Sequence, residues 1–165
     1  MSSSTTLTIR RATRADLPAL GRLGAHLVRL HHGFDPDRFM APRPDPEGGY
    51  AWFLGTQLEE ADVVIFVAEQ DGGVVGYVYA GLEPMSWKEL REPAGFIHDV
   101  VVDEAARGHG AGARLVLAAA DWLEAAGAPR VMLWTAEKNQ TARQLFDRLG
   151  FRPTMVEMTR EKTRP

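Results

Sequence analysis

A mixed α/β fold, with a mostly antiparallel central sheet and helices on both faces, is what this sequence predicts. Three observations lead there. Short β-branched or aromatic runs (Val63 to Ala68, Val74 to Ala80, Gly95 to Val102, Val131 to Trp134) have the length and composition of strands. Asp71-Gly72-Gly73 joins two of them as a hairpin signal, so that pair is antiparallel. The later runs alternate with apolar residues at helical spacing, as strands joined by crossover helices do.

Taken in order, Leu7 to Ala12 alternates weakly and reads as a first strand. Thr13 stands three residues before Asp16, a capping box with Asp in place of Glu or Gln. Leu17, Leu20, Leu23, Leu27 and Leu30 then share one helical face, predicting a helix from Arg14 to Leu30 that His31-His32-Gly33 ends. From Phe34 to Gly49, Pro36, Pro42, Pro44 and Pro46 forbid regular structure. Tyr50 to Glu60, with Trp52, Phe53, Leu54 and Leu58, reads as a second, shorter helix.

After the hairpin and a polar loop from Glu83 to Pro93, the strand Gly95–Val102 runs into a glycine-rich turn. A helix from Gly110 to Ala126 buries Leu115, Ala119, Trp122, Leu123 and Ala126, and Gly127-Ala128-Pro129 stops it. Val131 to Trp134 is a buried strand. Asn139 to Leu149 is a helix with Ala142, Leu145, Phe146 and Leu149 on one side, and Thr154 to Thr159 alternates as a last strand. The predicted order is β-α-α-β-β-β-α-β-α-β. Residues 7–160 form one domain, with frayed ends at 1–6 and 161–165.

Composition narrows the function. With 165 residues the chain has room for one domain with a real core. A net charge of −3 gives no reason to expect nucleic acid and mildly favours a cationic substrate. The absence of cysteine excludes disulfides, thiolate metal sites and a cysteine nucleophile. His31-His32 with Asp35 has poor spacing and number for a metal site, so no metal is expected. No apolar run is long enough to span a membrane, and the first residues lack the cationic and apolar parts of a leader, so the cytoplasm is the expected location.

The chemistry concentrates between Val100 and Gly112. An apolar strand (Val100, Val101, Val102) meets Arg107-Gly108-His109-Gly110-Ala111-Gly112, beyond which a helical pattern begins. Glycines let the backbone approach a ligand, and the first amides of a helix hold anions. The spacing is neither Walker A, which needs Gly-Lys-Ser/Thr, nor the dinucleotide G-x-G-x-x-G. It is R-x-x-G-x-G, filled by Arg107, Gly110 and Gly112. In that form, after a valine-rich strand, the segment resembles the pyrophosphate signature of the GNAT acetyltransferase superfamily. The predicted order of elements matches that superfamily over nearly the whole chain.

The resemblance implies a GNAT-like fold and an acyl-CoA-dependent N-acyltransferase that moves acetyl from acetyl-CoA to an amine by direct attack. It implies that Arg107, Gly108, His109, Gly110, Ala111 and Gly112 form the loop around the CoA pyrophosphate. Val100, Val101 and Val102 would flank the pantetheine, with the N–H of Val101 or Val102 polarising the thioester carbonyl. Asn139 would bond the pantetheine and Phe146 would pack on the cofactor. Many members carry tyrosine, a proton donor to the leaving thiolate, where this chain has Phe146.

Asp99 and His98 interrupt an apolar strand and are the candidate proton acceptors. Adjacent in a strand, they face opposite sides unless a bulge intervenes. Structural readings stand beside the catalytic ones, Asp99 as an acceptor for loop amides and His98 as a satisfied buried imidazole. The expected partner is a small-molecule amine or a peptide amine, and a homodimer is an admissible assembly. A non-catalytic CoA-binding sensor domain is the alternative function.

Overall fold

The computed structural model describes residues 6–163. One sheet of five strands runs in the order β1 (Leu7–Arg11), β2 (Val63–Gln70), β3 (Gly73–Glu83), β4 (Ala94–Val102), β5 (Val131–Leu133). The first four are antiparallel neighbours, whereas β4 and β5 are parallel. Among the described residues four α-helices flank the sheet: α1 (Leu17–Phe34), α2 (Pro46–Gln57), α3 (Ala111–Ala125) and α4 (Gln140–Arg148). Two apolar cores explain the layering. Val64, Ala68, Val78 and Ile97 meet Leu115, Val116, Ala119 and Leu123 of α3 and Phe146 of α4 on one face. On the other, Ile65, Val67, Tyr77 and Val101 meet Leu20 and Leu23 of α1 and Leu54 of α2. The mixed sheet with helices on both faces is therefore the observed architecture.

The hairpin turn is as its sequence requires. Gln70 pairs with Gly73, and Asp71 and Gly72 both take positive φ, the signature of a tight two-residue turn that matches strand twist. At the amino end, Thr13 N–H donates to Asp16 at 2.7 Å, and Asp16 also takes both ends of the Arg10 guanidinium at 2.8 and 2.9 Å. This buried carboxylate closes a 3-10 turn (Arg14–Asp16) and ties β1 to the start of α1.

Several boundaries are corrected. The first helix does not stop at His31-His32-Gly33 but runs to Phe34. The His31 ring packs on Phe34 and Phe39, and the stop signal is Asp35-Pro36, because a residue before proline is driven out of the helical region. The proline-rich loop ends early: Pro46 is the first residue of α2, and the Asp45 side chain caps it by accepting from Gly48 N–H at 3.0 Å. Ala126 and Trp134, expected in the core, are exposed, Trp134 at 72%. β5 ends one residue before Trp134.

The last strand is absent. Thr154 to Thr159 has no regular structure, and Met155, Val156 and Met158 are exposed. Alternation alone does not make a strand without a ladder to join, and here the segment is held by an ion pair between Arg38 and Glu157. Residues 1–5 and 164–165, part of the ends expected to fray, lie outside the described residues.

Asp16→Ala should lower the unfolding free energy by roughly 1–2 kcal/mol, the lower range for a charged hydrogen bond because Arg10 stays partly hydrated. Its hydrogen bonds to Arg10 hold the native carboxyl down at about 2. The stabilisation is thus complete above the unfolded value near ~3.9 and is lost as pH falls toward about 2. Urea melts of both proteins between neutral and acid pH check this: a gap between them that fails to shrink on acidification contradicts it.

Candidate active site

The site is built by an irregularity in β4. Tyr79 pairs with Asp99 and Ala80 pairs with Ile97, so His98 is an extra residue bulged out of the β3–β4 ladder. A bulge reverses the alternation of side chains beyond it. Ile97 points into the α3 core, yet Asp99 and Val101 point to the α1–α2 face. His98 lies on that face as well, its ring 4.9 Å from Tyr79 and 5.2 Å from Phe96. The bulge brings the two candidate proton acceptors to one side.

Asp99 is half-buried and accepts two phenolic hydrogen bonds, from Tyr50 at 2.5 Å and Tyr77 at 3.0 Å. Burial raises its pKa, and the two hydroxyl donors, which favour the charged form, oppose that rise without cancelling it. The phenols respond in the same sense. Burial first and the Asp99 charge second push Tyr50 and Tyr77 far above the ordinary phenol value, and burial pushes Tyr79 up to about 12. At neutral pH all three are hydroxyl donors. His98 Nε2 lies 3.1 Å from Glu83 Oε1.

Tyr50 reaches Asp99 because α1 and α2 approach unusually closely. A Cβ on Gly24 would lie 2.0 Å from the Tyr50 ring, and one on Gly21 would lie 2.5 Å from the Glu47 carbonyl oxygen. Neither Tyr50 nor Tyr77 was singled out from the sequence. Gly21 and Gly24, on one face of a leucine-rich helix at i and i+3, were the available signal.

Beside Asp99 the sheet opens. β5 pairs with β4 only from Gly95 to Ile97, so β4 runs on from His98 to Val102 with no strand on that side. Asp103 N–H donates to the Val75 carbonyl at 2.7 Å, and by the two-residue alternation of an antiparallel ladder Asp99 and Val101 also bond to β3. Val100 and Val102 turn their amides toward the opening. Consistently, the Val102 carbonyl accepts from Arg107 Nε at 3.3 Å. This corrects the expectation for Val101, whose N–H is engaged with β3 and whose side chain is core, in favour of its two neighbours.

At the end of β4, Arg107, Gly108, His109 and Gly110 are exposed. Gly110 caps α3 with φ 81°, and a Cβ at Gly108 or Gly110 would meet no atom within 4 Å. No side chain caps α3 and no acidic residue stands in its first turn, so its leading amides have no side-chain partner. The loop fits a diphosphate in this respect: an uncapped helix start with no acidic residue in its first turn, and Arg107 nearby. Ala111 contributes only its backbone there, since its side chain is core.

Two expected cofactor contacts are placed differently. Phe146 is 6% exposed, packed among the core residues of α3 and against Phe151 at 5.9 Å, so its ring serves the core. Asn139 caps α4, its side-chain oxygen accepting from Ala142 N–H at 3.1 Å, which leaves only its amide donors for a ligand. Two surface hollows lie outside this constellation, one against Leu17 and Trp52 and one beside His26 and Asp103. Among the described residues, no cluster of His, Asp and Glu side chains is arranged to hold a metal ion, and no helix is long and apolar enough to cross a membrane.

The acetyltransferase (GNAT) family profile matches residues 27–151. The chain belongs to the GNAT acetyltransferase family. An uncharacterized N-acetyltransferase of Bacillus subtilis is 31% identical over 148 residues, covering 88% of this chain and 89% of that protein. Another, from Methanocaldococcus jannaschii, is 30% identical over 146 residues, covering 88% of this chain but 61% of its own length. Among solved structures, an aminoglycoside N-acetyltransferase in complex with CoA superposes with a TM-score of 0.72 over 98% of each chain, at 18% identity. This member of the GNAT acetyltransferase family thus combines a five-stranded mixed sheet, opened beside β4, with a tyrosine-bonded aspartate.

Gly24→Ala tests how Tyr50 is seated. The added methyl has no room, so we expect a loss of roughly 1–3 kcal/mol and displacement of the Tyr50 ring from Asp99. Thermal melts and the Tyr50 ring resonances report both, and a variant matching the parent in each contradicts the packing described.

Proposed function

We propose that this protein transfers an acetyl group from acetyl-CoA to an amine by direct attack, with Asp99 as the proton acceptor and His98 beside it. The observation that carries the reading is the position of the Asp99 carboxylate on the acceptor face of the bulged β4, next to the opening that begins after Ile97. Acetyl-CoA supplies the activated acyl group as a thioester. The loop from Arg107 to Gly112 would hold its diphosphate, Val100 and Val102 would pair with its pantetheine, and one of their amides would polarise its carbonyl, an interaction typically worth about 2.7–4 kcal/mol.

An amine reaches neutral solution as an ammonium and must lose a proton before its lone pair can form the new C–N bond while the C–S bond breaks. Asp99 suits that step. Its raised pKa makes it a better proton acceptor than an ordinary carboxylate, and the Tyr50 and Tyr77 hydroxyls hold it in one orientation. Phe146 supplies no proton to the leaving thiolate, which collects one from water.

Two variants test separate halves of this reading. Gly110→Asp sets a negative charge and a Cβ at a left-handed backbone position in the loop; acetyl-CoA binding should fall by at least tenfold in calorimetry while the melting curve stays near the parent's. Asp99→Asn should lower kcat/KM by about 10²–10⁴ with acetyl-CoA binding retained. In the parent, activity should be lost on acidification at a pH above the ordinary carboxylate value, since protonated Asp99 accepts nothing, and the variant should lack that limb. CoA release with a panel of amines measures both. A parent-like rate and pH profile in Asp99→Asn reduces Asp99 to a structural acceptor.

A further inference from the structure

We infer that the acceptor carries a second positive charge besides its reacting nitrogen, and that Glu83 and the aromatic wall ending in Trp134 hold that charge. The inference rests on the acetyl-transfer reading for which nitrogen reacts, and on separate features for the second charge. Six rings run in an unbroken row. Tyr50 meets Phe53 at 6.0 Å, Phe53 meets Tyr79 at 5.8 Å, Tyr79 meets His98 at 4.9 Å, His98 meets Phe96 at 5.2 Å, and Phe96 meets Trp134 at 5.3 Å. The middle of the row is stacked or tilted, whereas Phe53 and Trp134 stand nearly perpendicular to their neighbours, at 81° and 86°. Perpendicular rings form corners, and aromatic corners attract cations through the negative faces of the rings.

A carboxylate accompanies each half of the row. Asp99 is bonded to Tyr50 at one end, and Glu83 lies against His98 next to the Phe96–Trp134 corner. Among the described residues neither carboxylate forms a salt bridge with a lysine or arginine, so both negative charges are open to a ligand. Trp134 is one of several large apolar side chains outside the core, with Trp52 and Trp87, and it is the one that joins this row of rings. It follows a buried-looking strand, yet its indole is 72% exposed at the point where β5 leaves β4. An acceptor with its reacting ammonium at Asp99 and a second cation on the Glu83 side would lie along the part of the row around His98. A second group that was anionic would meet two carboxylates and would be repelled.

The test uses the full chain with acetyl-CoA and three chain-matched probes: butylamine, 1,4-diaminobutane and 4-aminobutanoate. The kcat/KM for CoA release should favour the diamine over butylamine by at least about tenfold, with 4-aminobutanoate the poorest. In Glu83→Gln, and independently in Trp134→Ala, the diamine-to-butylamine ratio should fall several-fold toward one. Ratios are read because Glu83 also touches His98 and can alter every rate. Trp134 is exposed, so its variant retains the fold if Glu83→Gln does not. Equal use of the two amines, a preference for 4-aminobutanoate, or a ratio unchanged in both variants overturns the inference. Binding of the diamine to the CoA-loaded protein, followed by calorimetry, separates the two readings. Binding that depends on Glu83 without turnover sinks the reaction reading and leaves the second-charge site standing. Turnover of butylamine with no added affinity for the diamine does the reverse.

Discussion

The Asp99 carboxylate, shared between the hydroxyls of Tyr50 and Tyr77, is the interaction on which the α1–α2 face of the sheet depends. It joins three elements that are far apart in sequence: α2, β3 and β4. Hydrogen bonds to a charged group are worth about 1.5–3 kcal/mol each, yet taking a carboxylate out of water costs more than neutral groups do. Which effect wins is visible in the direction of the Asp99 pKa. Burial prevails over the two donors, leaving a carboxylate held in place but readier to take a proton than one in water. The same bonds locate α2, and Gly24 on α1 makes the space through which the Tyr50 ring passes.

The bulge at His98 divides the work between the two faces of the sheet. On one face, α3 and α4 bury an ordinary apolar core and α3 directs its uncapped amino end at the glycine turn. On the other, α1 and α2 leave room for a row of rings and two carboxylates. Between them β4 loses its parallel partner after Ile97, freeing the amides of Val100 and Val102. A glycine turn at a helix start, two outward amides and a tyrosine-bonded carboxylate are thus aligned by one strand, whose register changes once along its length.

Much of this was legible in the sequence because it depends on local chemistry. Asp71-Gly72 dictated a turn with two positive φ angles, and Gly110 dictated the left-handed start of α3. The glycine spacing after a valine strand led to the family. Features that depend on a partner elsewhere in the chain were not legible. Val101 or Val102 was expected to offer its amide, and it is the amides of Val100 and Val102 that turn away from β3, because pairing parity is fixed by that strand. The alternation of Thr154 to Thr159 resembled a strand, yet no ladder receives it. Phe146 had the spacing of a core residue and is one. Tyr50 was read only as the start of a second, shorter helix, since its role needs the bulge and the missing side chain of Gly24 together.

Asp99 is a half-buried carboxylate whose charge is contested between desolvation and two tyrosine hydroxyls. Following the Asp99 side-chain carbon by NMR as pH is varied, in the parent and in Tyr50→Phe, measures that balance directly. The account predicts a midpoint above the ordinary value of ~3.9 in the parent and a higher one in Tyr50→Phe, where a donor to the charged form has been removed. A parent midpoint at or below the ordinary value, or one that Tyr50→Phe leaves unmoved, would contradict it.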